Sequence, residues 1–111
     1  MEDSRTYEKG LENDLYFKAI KVFGTTNQTI VAIEELAELQ KELTKTLRGE
    51  KNYDHIVEEI ADVEIMLEQL KIMFDINELD LHRTKNKKQD RLRLRIASKV
   101  RPKMWRAIHD K

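Results

Sequence analysis

Three glycines and one proline leave this 111-residue chain almost without turn punctuation, and that scarcity constrains the fold most. A sandwich or barrel needs a turn signal roughly every 8–12 residues, so the scarcity argues against both and points to long helices. The chain is long enough for one domain, but its core would be modest, which makes an oligomer plausible. Charged residues reach 38%, against about 25% in an average globular protein. With no cysteine there is neither a disulfide framework nor a thiolate zinc site. No apolar run approaches the ~20 residues of a membrane span, and Met1-Glu2-Asp3-Ser4-Arg5 is too acidic and polar for a signal peptide. The expectation is an all-α, cytoplasmic protein without a membrane partner.

Apolar periodicity predicts four helices. The first spans about Thr6 to Val22 on a stripe of Tyr7, Leu11, Leu15, Ala19 and Val22. Gly24 terminates it, and Thr25-Thr26-Asn27 offers caps for a second helix from about Gln28 to Arg48. That helix has Ile33, Leu36, Leu43 and Leu47 on one stripe, with Val31 and Leu39 beside it. After the turn at Gly49, Asp54 can cap a third helix that reads to about Phe74 and is apolar nearly all round. Such a helix is central or faces a second subunit. The short loop makes the second and third helices an antiparallel hairpin. A fourth helix starts at the capping signal Asn77-Glu78-Leu79-Asp80 and reaches about Ala97, with Pro102 interrupting any continuation. The predicted organisation is a four-helix domain over 1–97 and a basic extension over 98–111.

Charge divides the chain. Residues 82–111 hold 12 Lys/Arg against 2 Asp, whereas residues 1–81 hold 9 Lys/Arg against 19 Asp/Glu. Between Leu81 and Leu92 no residue is apolar, so core burial cannot hold that stretch. It is solvated or lies against negative charge.

The second helix carries Ile30-Val31-Ala32-Ile33-Glu34-Glu35-Leu36-Ala37-Glu38-Leu39, in which the only polar residues are three glutamates. Glu35 and Glu38, and likewise Glu34 and Glu38, share a helix face, where like charges repel. The third helix repeats the arrangement with Glu59 and Asp62, and no Lys or Arg occurs from Tyr53 to Leu70. In an antiparallel hairpin Glu35, Glu38, Glu59 and Asp62 lie opposite one another to within a turn or two, each ~5.4 Å. Four converging carboxylates suit a hard divalent cation, magnesium or alternatively manganese, shared with substrate phosphates. A diiron carboxylate bundle wants Glu-x-x-His motifs, which His55, His82 and His109 do not supply.

Glu34-Glu35-x-x-Glu38 followed by Glu59-x-x-Asp62 resembles the signature of the MazG-like, all-α nucleoside triphosphate pyrophosphohydrolases, in their small single-domain form. Asn27-Gln28, the turn after Leu47-Arg48-Gly49 and Lys88-x-x-Arg91-x-x-x-Arg95 extend the similarity over roughly residues 16–96. The resemblance implies a MazG-like bundle, working as a homodimer or homotetramer. It further implies a magnesium-dependent hydrolase that cleaves a ribo-, deoxyribo- or non-standard nucleoside triphosphate between the α- and β-phosphates, giving the monophosphate and pyrophosphate. By position, Glu35, Glu38, Glu59 and Asp62 would be the metal ligands, with Glu34 beside them. Glu34, Glu35 or Glu38 would orient the attacking water, and Lys88, Arg91 and, more weakly, Arg95 would hold the β- and γ-phosphates.

Gln28 or Asn27 could bond a base edge, and Tyr16, Phe17 or Phe23 could stack on it; each equally suits a cap or core position. Val100, Met104, Trp105 and Ile108 in the extension could pack on a neighbouring subunit or close the site. The competing reading is a non-catalytic nucleic-acid binder that grips phosphates with residues 83–106 and uses the acidic hairpin to dimerise.

Overall fold

The computed structural model describes residues 4–109. These residues form four helices and no strand: α1 (Ser4–Phe23), α2 (Thr25–Leu47), α3 (Tyr53–Met73) and α4 (Glu78–His109). None of them is long and apolar enough to cross a membrane. The chain divides into two compact units, Met1–Asp75 with α1–α3 and Ile76–Lys111 with α4. Within the first unit, α2 and α3 pack along their length and α1 leans on both.

The helix ends reflect local chemistry. Gly24 alone separates α1 from α2, at φ 88 and ψ 152, a region essentially restricted to glycine. Its N–H still bonds Ile20 O (2.8 Å) and its carbonyl accepts from Gln28 N (3.0 Å). The backbone break, not a side chain, therefore starts α2: Thr25, Thr26 and Asn27 lie inside the helix, and no side-chain cap bond forms. Asp54 similarly sits in the first turn of α3, behind Asn52 at the cap position. Asn77 caps α4 as the sequence predicts, its Oδ1 accepting from Leu79 N (2.9 Å) and Asp80 N (3.0 Å).

At the end of α2, Glu50 N bonds Lys45 O (3.1 Å) and Gly49 N bonds Thr46 O (3.0 Å). This is a Schellman closure, with Gly49 at φ 90. No atom lies within 4 Å of a Cβ added at Gly49. A Gly49→Ala change should therefore cost only the left-handed backbone term, about 1–2 kcal/mol, measured as a lower urea midpoint with unchanged slope.

The predicted end of the fourth helix near Ala97 is not observed; α4 runs on to His109, across Pro102. A proline removes one intrahelical bond, and Ala97, Lys99, Arg101, Lys103, Arg106 and Ala107 around it favour helix.

The larger departure lies in which faces are buried. Among described residues the buried apolar side chains are Tyr16, Ala32, Val63 and Met66, and no large side chain is completely enclosed. The expected α2 stripe of Ile33, Leu36, Leu43 and Leu47 faces outward, Leu47 at 89% exposure. On α1 the expected stripe residues Leu11, Leu15 and Val22 are exposed while Tyr16 is buried; the side chain of Tyr7 lies outside the described ones. α3 does face both ways, with Val63 and Met66 inside and Val57, Ile60, Ile65 and Leu67 exposed.

Candidate metal centre

The seam of α2 toward α3 consists of Gln28, Ala32, Glu35, Leu39 and Glu42, alternately four and three residues apart, each buried or half-buried. Its polar members, Gln28, Glu35 and Glu42, recur every seven residues. They therefore make three polar layers along the hairpin, ~10.5 Å apart at 1.5 Å per residue.

At the open end of the hairpin Gln28 Nε2 donates to Gln69 Oε1 at 2.7 Å. The two amides are 6% and 4% exposed, and Asn27 Nδ2 adds a 3.3 Å bond to Gln28 Oε1. At the turn end the buried carboxylate of Glu42 accepts from Asn52 Nδ2 (2.6 Å) and Lys45 Nζ (3.1 Å). The same Asn52 Nδ2 reaches Glu42 O at 2.9 Å, and Asn52 Oδ1 accepts from Thr46 Oγ1 at 2.8 Å. Asn52 and then Lys45 hold the Glu42 carboxyl below its ordinary pKa. Both outer layers thus satisfy their own hydrogen-bonding groups.

The middle layer does not. Glu35 of α2 and Glu59 and Asp62 of α3 each place a carboxylate oxygen within 4.8 Å of the others. Glu59 Oε2 is shielded from solvent and has no hydrogen-bond partner. Burial first, then the charges of Asp62 and Glu59, push the Glu35 pKa from 4.5 to about 6. Three acceptors sharing so small a volume need a proton or a cation. An oxygen-only donor set suits a hard divalent ion such as magnesium or manganese.

The other expected site residues are distributed differently. Glu34 and Glu38 are exposed on α2, and the carboxylate of Glu38 falls outside the group of three. Gln28 is engaged by Gln69 rather than open to solvent. Of the candidate stacking residues, Tyr16 is buried, whereas Phe17 and Phe23 are exposed. Lys88, Arg91 and Arg95 share one exposed face of α4, and on the other side of the helix Arg93 pairs with Asp90 at 2.6 Å. His55 and His82 are exposed, and His55 lies 3.8 Å from Glu58. The side chains of Met104, Trp105 and Ile108 are outside those described. Sequence reasoning missed Glu42, Asn52 and Gln69. The seven-residue repeat of Gln28, Glu35 and Glu42 was the available signal, obscured by a more apolar stripe on another face.

No protein-family model, curated protein or solved structure matches the chain.

Proposed function

We propose that the α2–α3 hairpin is the metal centre of a MazG-like, magnesium-dependent nucleoside triphosphate pyrophosphohydrolase. One observation carries this reading: of three polar layers in one helix seam, only the middle one consists of acceptors alone, with a shielded oxygen of Glu59 left without a partner. Structural polar layers satisfy their own groups, as the other two do here; a layer of carboxylates is built for a cation. The two-part acidic motif in the sequence supports the same assignment.

In this reading Glu35, Glu59 and Asp62 hold the ion, and Glu38, one turn along α2, completes the set from the exposed side. Bound there, magnesium or manganese would neutralise the triphosphate and polarise the α-phosphorus. Glu34 and Glu38 are exposed and offer acceptor oxygens that can orient a water for in-line attack on that phosphorus. Lys88 and Arg91, with Arg95 on the same helical face, carry the positive charge that would stabilise the departing pyrophosphate. The test is pyrophosphate release from ribo- and deoxyribonucleoside triphosphates, with magnesium and with EDTA. Magnesium-dependent release supports the reading; no release from any of them overturns the broad-range enzyme.

The working form in this proposal is a homodimer or homotetramer. Ile33, Leu36, Leu43, Val57, Ile60 and Leu67 are all exposed on the hairpin, and burying each such side chain is worth roughly 1.5–3 kcal/mol. Light scattering at micromolar concentration should return a dimer or tetramer mass, and Ile33→Glu should shift it toward the monomer. A monomer mass for the unaltered chain would contradict this assembly.

A further inference from the structure

The seam that α2 presents to α3 is not its most apolar face. From the direction of Gln28, at 100° per residue, Leu36, Leu43, Leu47 and Ile33 cluster about a quarter turn away. Within an isolated chain, hydrophobic burial by itself would rotate α2 so that this stripe met α3. That rotation would carry Glu35 out of the seam and away from Glu59 and Asp62. Mutual repulsion of three carboxylates within 4.8 Å would favour the same rotation. Something must oppose both forces, and the polar layers on either side of the acids are placed to do so.

Seven residues return a helix to within ~20° of the same direction. If Gln28 faces Gln69, then Glu35 and Glu42 also face α3. The Gln28–Gln69 bond is short and its amides are buried, so rotating α2 would strand a donor and an acceptor in the interior. At the other end, the same rotation would strip the buried Glu42 carboxylate of its bond from Asn52 Nδ2. Glu42 and Asn52 are tied across the connection over 48–52, so this layer anchors the hairpin at its turn, while Gln28 and Gln69 anchor it at its open end, two seven-residue repeats back along α2.

We infer that the Gln28–Gln69 and Glu42–Asn52 layers are positioning devices that set the rotation of α2 so that Glu35 faces Glu59 and Asp62. This gives Gln28 a role at the site without contact with substrate, and it rests in part on the metal-centre reading. The comparison is with single buried polar residues in coiled coils, which fix register at some cost in stability.

The test uses the full chain and the double variant Gln28→Leu/Gln69→Leu, which replaces both partners with apolar groups of similar volume. Its urea midpoint should match or exceed that of the unaltered protein. Its affinity for Mn²⁺ should nevertheless fall at least ~10-fold, as for lost orienting groups around a metal. Mn²⁺ affinity within twofold of the unaltered chain would overturn the inference.

A second arm needs no metal. In EDTA, Glu35→Gln should raise the urea midpoint by relieving repulsion. In the double-leucine background that gain should fall by half or more, because the carboxylates are already apart. Sites ~10 Å apart are normally additive, so additive gains would also overturn the inference. If the unaltered chain binds no Mn²⁺, the proposed function fails, and the EDTA arm still decides the role of the two layers.

Discussion

Asp62→Asn should lower magnesium-dependent pyrophosphate release by at least about 100-fold while making the metal-free protein more stable. The two effects have one cause. Asp62 is one of three carboxylates whose oxygens lie within 4.8 Å, and its charge is among the causes that raise the Glu35 pKa. Neutralising it removes a repulsive neighbour, worth on the order of 1 kcal/mol at a partly solvated site, so the urea midpoint in EDTA rises. In the proposed metal centre the same change removes an anionic oxygen donor to the cation, and with weaker metal binding the cation's stabilisation of the transition-state charge is lost. A residue serving only the fold would lose stability and activity together. Asp62→Asn with unchanged turnover would exclude Asp62 as a ligand, and loss of stability in EDTA would contradict the crowding of the acids.

Much of this was legible in the sequence, and the remainder was hidden for a physical reason. Helix type followed from the scarcity of Gly and Pro and helix number from apolar periodicity, and Gly24, Gly49 and Asn77 punctuate the chain where the sequence implied. Glu35, Glu59 and Asp62 do come together between α2 and α3. The core was misread because apolar periodicity assumes that the most hydrophobic face turns inward. In α2 the inward face is set by Gln28 and Glu42, whose partners Gln69 and Asn52 lie 41 and 10 residues away. A hydrogen bond between buried side chains can override a hydrophobic stripe, but its partner is not visible in local periodicity. The outward stripe is then free for a second subunit. The course of α4 past Ala97 was missed because Pro102 was given the weight of a terminator rather than of one lost bond.

Stability of the metal-free protein should fall as pH rises from about 4.5 through about 6, the reverse of what ordinary paired carboxylates produce. The pKa of Glu35 is raised in the folded state, from 4.5 to about 6, chiefly by burial and then by Asp62 and Glu59. A carboxyl of this kind binds its proton more tightly in the folded state than in the unfolded one. Its contribution is therefore present in full below pH 4.5 and lost as pH climbs through about 6. Solvent reaches this carboxyl, so screening keeps the loss well below the ~1.4 kcal/mol per unit of an enclosed group. Glu42 works in the opposite sense. Its pKa is lowered by Asn52 and Lys45, so its contribution holds above its ordinary value and is lost in more acid solution. Between the two, the midpoint in EDTA should be highest near pH 5. Saturating magnesium favours ionised Glu35 and should restore stability above pH 6, with little effect at pH 4.5, where the cation must displace the proton. Urea titrations at pH 5 and pH 7, with EDTA and with magnesium, measure all four corners. Glu35→Gln should abolish the decline between pH 5 and pH 7 in EDTA and leave the acid limb set by Glu42 intact. A midpoint in EDTA that rises from pH 5 to pH 7 in the unaltered chain would mean that Glu35 does not share its layer with two other acids.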